Sequence, residues 1–310
     1  MSDERRADVG GSARQPGVLT VHLSDTPLRA EYERCARRLL ARGDEAPERR
    51  DDEHFDGSGY HPAAIELAAQ NWRRRMKQEH QSAAVFAGML PQLMEAGAAI
   101  DVEVAVLRSA MDELRHARLC GEVVEYLGLS ASLETDLAPP DLATHPGVPP
   151  LERAMRNLMF VGCLSETVAV ALLTEEREYV DDPYIDRVMR QLAGDETLHA
   201  RVGWIMLRDT WDRLDDAGRE RTQAYLEVAL AYYERCMLDA TPVRVIPEPI
   251  LADARRLGFA HSATARELFV EAIETVVLPQ LDAIGLDAAG AWDRRHCAAD
   301  AHAGSLTLTG

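Results

Sequence analysis

The chain has 310 residues, 46% hydrophobic and 28% charged, enough apolar material for a sizeable core and too much for a disordered polymer. Its 52 acidic and 34 basic residues leave a net charge of -18, which disfavours nucleic acid and anionic membranes as partners. The 5 cysteines form no CxxC, which excludes a disulfide scaffold and a four-cysteine iron or zinc site.

Residues 1–23 are rich in Gly, Arg and Asp without periodicity, and a mobile tail is expected there. The start lacks an apolar signal core, and no apolar run approaches the roughly 20 residues of a membrane span, so a cytoplasmic protein is expected. Residues 24–60 hold a helical pattern with Leu28, Tyr32, Cys35, Leu39 and Leu40 on one side, then a charged linker over 43–60. The region 61–212 contains four long helical stretches, about 62–96, 101–128, 150–179 and 183–212. Beyond it, residues 213–310 contain helices over about 214–240 and 262–284 and a short one near 248–257, expected to pack on the first four. Alternation of apolar and polar residues is rare and no Asn-Gly hairpin turn occurs, so the fold class is all-α.

The joints set the connectivity. The first two long helices meet at a short turn centred on Gly97, and the third and fourth at VDDP, where Pro183 suits the first turn of a helix. Between the two hairpins lies a segment with Pro139, Pro140, Pro146, Pro149 and Pro150, which reads as a long connection along a bundle. Two antiparallel hairpins and one long crossover make a four-helix bundle of the ferritin-like kind.

Each hairpin carries a lone Glu on its first helix and Glu-x-x-His on its second: Glu79 with Glu113 and His116, then Glu166 with Glu196 and His199. All six lie in apolar stripes stepping by three and four, such as Trp72, Met76, Glu79, Ala83 and Phe86, and so face the core. Glu79 and Glu113 are equidistant from residue 96, and Glu166 and Glu196 from residue 181, so each hairpin brings its acids level, ~23–26 Å from its turn. Four buried carboxylates and two imidazoles need compensating positive charge, which two divalent ions supply. A ligand set of oxygen and imidazole nitrogen without thiolate suits iron or manganese.

These six positions resemble the ferritin-like di-iron carboxylate superfamily, over about residues 62–212, and DELRH is similar to the form in bacterial multicomponent monooxygenases. The resemblance implies that Glu79, Glu113, His116, Glu166, Glu196 and His199 are metal ligands, with Glu113 and either Glu166 or Glu196 as bridges. It implies that Asp112 and Asp195 accept the free ring N–H of a ligand His on the opposite hairpin, with Arg115 a candidate partner for such an acid. The cofactor is expected to be two iron ions, with manganese in one or both positions as the alternative.

Phe86, Cys120, Gly162 and Leu192 are cavity candidates beside the centre; Cys120 stands where radical-bearing relatives have tyrosine, and Leu192 where N-oxygenases have a further His. Gly88 and Gly203 either leave room near the metals or pack helices closely. His22, His54, His61, His145, His261, His296 and His302 lie off the stripes and read as surface residues. The function expected is an O2-activating non-haem di-iron oxygenase or oxidase that hydroxylates, desaturates or N-oxygenates a small organic substrate. Its electrons would come from a separate donor, since no nicotinamide or flavin fingerprint is present. The alternative is a ferroxidase that handles iron. An apolar face on an outer helix would allow a homodimer.

Overall fold

The computed structural model describes residues 16–21, 49–50 and 52–301. The helix expected around Leu28–Leu40, and His22 and His302, lie outside them. Helix α1, Pro62–Glu95, starts where Pro62 fits the first turn and His61 Nδ1 accepts the Ala63 amide at 3.1 Å. It ends at Gly97, whose φ of +65° lets the Ala98 amide reach back to the Leu93 carbonyl at 2.9 Å. Helix α2, Ile100–Tyr126, returns alongside α1 along its length, with Asp101 and Glu103 at its positive end.

The connection from 127 to 149 contains a strand, β2, Leu133–Asp136, antiparallel to β1, Pro16–Leu19, with Pro16 opposite Asp136 and Leu19 opposite Leu133. This corrects the tail reading for residues 16–19. Leu19 is buried against the same apolar cluster as Trp72 and Leu119, and that contact anchors a strand too short to show alternation.

Helix α3, Pro150–Leu158, runs through a π-helical segment, Met159–Ser165, into α4, Glu166–Arg177. By length and composition this stretch of 28 residues is apolar enough to cross a membrane, contrary to expectation. Of its most apolar window, 56% is buried inside the chain, because this helix is packed on several sides and needs no polar face. Helix α5, Pro183–Arg213, is capped by Asp182, whose carboxylate accepts the Tyr184 and Ile185 amides at 2.9 and 3.0 Å.

Helices α6 (Asp216–Ala240), α7 (Glu248–Arg256) and α8 (Ser262–Ala272) follow, and α8 continues through a π-helical turn, Ile273–Val277, into α9 (Leu278–Ile284). Helix α10, Ala288–Ala301, was not expected; it packs on α6 with Trp292 buried.

Helix α1 also packs on α3, and α2 on α5, so the two hairpins face each other. Trp72, Met76, Leu119, Val123 and Met189 form an apolar cluster on one side of the interior, and Phe86, Met89, Val106, Leu158 and Met206 one on the other. The acids and imidazoles of the stripes lie between them along the helices. At Gly203 an added Cβ would meet the Gly162 backbone at 2.5 Å, so the π-helical segment and α5 touch backbone to backbone.

Candidate metal centre

Glu79 comes from α1, Glu113 and His116 from α2, Glu166 from the first turn of α4, and Glu196 and His199 from α5. All are buried except Glu79, whose side chain is 13% exposed. Their donor atoms form two groups, Glu79, Glu113, His116 and Glu196, and Glu113, Glu166, Glu196 and His199. Within each group the atoms lie within 4.8 Å of one another. Glu113 and Glu196 belong to both. Glu196 spans the centre: Oε1 is 3.2 Å from His116 Nδ1 and Oε2 is 2.9 Å from His199 Nδ1. His116 Nδ1 is 3.5 Å from Glu79, and His199 Nδ1 is 3.3 Å from Glu113.

The outer nitrogens face acids of the opposite hairpin. His116 Nε2 is 2.9 Å from Asp195 Oδ2, and His199 Nε2 is 3.5 Å from Asp112 Oδ2. In the neutral ring, a proton on each Nε2 would leave each Nδ1 lone pair directed at the carboxylate group, which is the tautomer a metal ligand requires. Buried Arg115 joins the two acids, with Nη2 at 2.5 Å from Asp195 and 3.3 Å from Asp112. Gln191 adds a hydrogen bond to Asp195 Oδ2 at 2.8 Å. Gln191 escaped the sequence reading although it stands one turn before Asp195.

Burial, and then the Glu196 charge, push the Glu113 and Glu166 carboxyls well above their usual range. Burial acts in the same direction on Glu196, but the adjacent His116 and His199 rings outweigh it and hold that carboxyl well below its usual range. On His116 burial disfavours the charged ring, yet the hydrogen bond to Asp195 and the adjacent Glu196 and Glu79 carboxylates hold its pKa well above the ordinary value. His199 is raised in the same way, against burial, by Asp112, Glu113 and Glu196. Glu113 Oε1 and His116 Nδ1 are buried without a hydrogen-bond partner. Unpartnered donor atoms converging with crowded carboxyls fit a cation, whose charge would remove the conflict among the acids. The buried Glu/His group can therefore hold metal.

A cleft of about 420 Å³ opens onto this group and is lined by Glu79, Glu113, Glu166 and Glu196. Its apolar walls come from Val85, Phe160, Val161, Leu172, Leu173 and Tyr233. None of the four cavity candidates lines it. Phe86 packs on the His199 ring with centroids 5.6 Å apart, and Cys120 and Leu192 sit in the apolar cluster with Trp72. Gly162 packs on Gly203. In their place Phe160, Val161 and Ser165 of the π-helical segment line the cleft.

The Arg75–Glu176 pair, 2.5 Å apart on the cleft wall, also escaped the sequence reading. Three residues beyond Leu173, the stripe of α4 reaches Glu176, and that step was the available signal. His145 is part-buried rather than a surface residue, with Nε2 3.1 Å from Asn157 Oδ1 and its ring edge-on to Tyr225. No protein-family model matches this chain, and no curated protein matches it in sequence.

Proposed function

We propose that this chain is an O2-activating di-iron carboxylate protein of the ferritin-like four-helix type that oxidises a small organic substrate. The observation that carries the reading is the pair of donor groups sharing Glu113 and Glu196 at the floor of an apolar cleft. Glu79 and His116 would hold one ion and Glu166 and His199 the other, with Glu113 and Glu196 common to both. Bound iron supplies the electrons for O2 activation.

The chain supplies the rest. Asp195 and Asp112 orient the two imidazoles, the apolar clusters above and below keep bulk water out, and the cleft holds the substrate beside the carboxylates. Electrons for repeated turnover would come from a separate donor. Cys120, Cys163 and Cys236 are unpaired thiols, which accords with a reducing cytoplasm.

The test is O2 consumption by iron-loaded protein and reductant, with and without candidate organic substrates. Substrate-dependent uptake with an oxygenated or desaturated product supports an oxygenase or oxidase. Ferric mineral formed at the same rate without any organic molecule would make iron the substrate and replace this reading with the ferroxidase.

The same proposal includes a homodimer. Ile100, Val104, Leu107, Met111 and Leu114 form an exposed stripe at heptad spacing on α2. Sedimentation should show a dimer for the wild type and a monomer for Leu107→Glu; a monomeric wild type removes the dimer.

A further inference from the structure

The cleft follows one face of α1, where Asn71, Arg74, Gln78, Ser82 and Val85 line it at steps of three and four. Its two ends differ in charge. Near the middle of that face, Glu79 joins Glu113, Glu166 and Glu196 on the acidic floor. At the Asn71 end stand two guanidiniums, Arg74 and Arg75, and one carboxylate, Glu176. The rise from Arg74 to Glu79, five residues along the helix, is about 7.5 Å.

The two arginines are not equivalent. Arg75 is neutralised by Glu176, with Nη2 to Oε2 at 2.5 Å. Arg74 donates to neutral oxygens, Nη1 to the Ala240 carbonyl at 2.9 Å and Nη2 to Asn71 Oδ1 at 3.0 Å. Among the described residues no carboxylate touches it; the Glu176 charge, bound to Arg75, acts on it only from beyond contact. Asn71 is buried and fixed in turn, because its amide nitrogen donates to the Gly258 carbonyl at 3.1 Å. Arg74 is thus held by both of its terminal nitrogens. Of its five N–H donors these contacts use two, and the side chain is exposed where it lines the cleft.

A guanidinium fixed by neutral groups and open to a cleft is a receptor for an anion, and its planar fork matches a carboxylate. The opposite arrangement, with an acid head at the floor, would place a fifth negative charge among four carboxyl groups. We propose that the cleft binds an organic monocarboxylate with an apolar body. Its carboxylate rests on Arg74 and its body lies along Leu172, Leu173 and Tyr233 toward Glu79 and Glu166. The acid group is then the handle, and the carbon presented to the centre lies remote from it. The choice of substrate class rests on the proposed function; the binding itself does not.

Calorimetric titration of the purified protein with octanoate and with 1-octanol tests this, in wild type, Arg74→Gln and Arg74→Lys, before and after chelation of metal. Octanoate should bind wild type about tenfold tighter than 1-octanol, the size expected for a charge-assisted hydrogen bond. Arg74→Gln should erase that preference while keeping octanol affinity and metal content, and Arg74→Lys should retain part of it. Equal affinities in wild type, no binding of either probe, or a preference that survives in Arg74→Gln overturns the proposal. So does a preference lost from wild type on chelation, because the carboxylate would then sit on metal. If Arg74→Gln does not fold, Arg74→Lys decides: undiminished octanoate preference with lost metal content also counts against it. Failure of the protein to bind two metals would end the oxygen chemistry and leave the acid preference standing, so the two failures are distinct.

Discussion

His116 and His199 each divide their two nitrogens between the carboxylate group and an acid of the other hairpin. Removing a donor atom from such a set leaves fewer ligands and an unpaired buried charge. Glu113→Ala and His199→Ala should each abolish tight binding of two metals, read by metal analysis after dialysis; two retained ions would show the ligand set to be wrong. Cys120→Ser should leave metal content unchanged, because the thiol lies in the apolar cluster with Trp72 and in neither donor group. These six positions were legible in the sequence because a carboxyl on an apolar stripe conflicts with its surroundings and so stands out. Arg74 was not legible: an arginine on a long helix reads as solvated, and its lack of a carboxylate partner is visible only once Ala240 and Asn71 are placed around it.

At the level of elements, the contact between the π-helical segment and α5 sets how near Glu166 comes to His199. Gly203→Ala would force a methyl group into the Gly162 backbone. Overpacking of this kind costs about 1–3 kcal/mol. Urea unfolding should show that loss, whereas Gly194→Ala, where an added Cβ meets nothing within 4 Å, should show none of it. The hairpin turns were readable from Gly97 and Pro183, because left-handed φ and a fixed φ are local demands. The π-helical segment, the strand pair and α10 were not. The strands are four residues each and held by tertiary packing, and across the π-helical segment Met155, Met159, Gly162 and Glu166 keep the three-and-four stepping of a regular helix.

For the molecule as a whole, stability should respond to pH through an ion pair far from the cleft. Glu53 bonds the buried Arg187 guanidinium at 2.6 and 2.7 Å. Despite burial, which acts upward, hydrogen bonds from the Arg50 amide and from Arg187 lower its pKa from 4.5 to about 2. A lowered folded-state pKa means the contribution is present above about 4.5 and is lost as pH falls toward 2. Glu53→Gln should remove about 1 kcal/mol at neutral pH and flatten the acid limb of the stability profile, followed by thermal melts from neutral to acid pH. Metal should act on the same quantity by mass action. At a hundredfold excess over Kd, each ion adds about 2.7 kcal/mol, a rise in Tm of about 4 °C per ion that a chelator reverses.

Glu113 and Glu196 come from different hairpins, and each completes the donor group that the other hairpin mostly builds. Under the proposed two-ion centre, the first ion can be held fully only after both halves have docked, and docking already assembles the second group. The second ion should therefore enter more readily than the first. Titration with ferrous ion should be sigmoidal, with singly loaded chains scarce at half saturation.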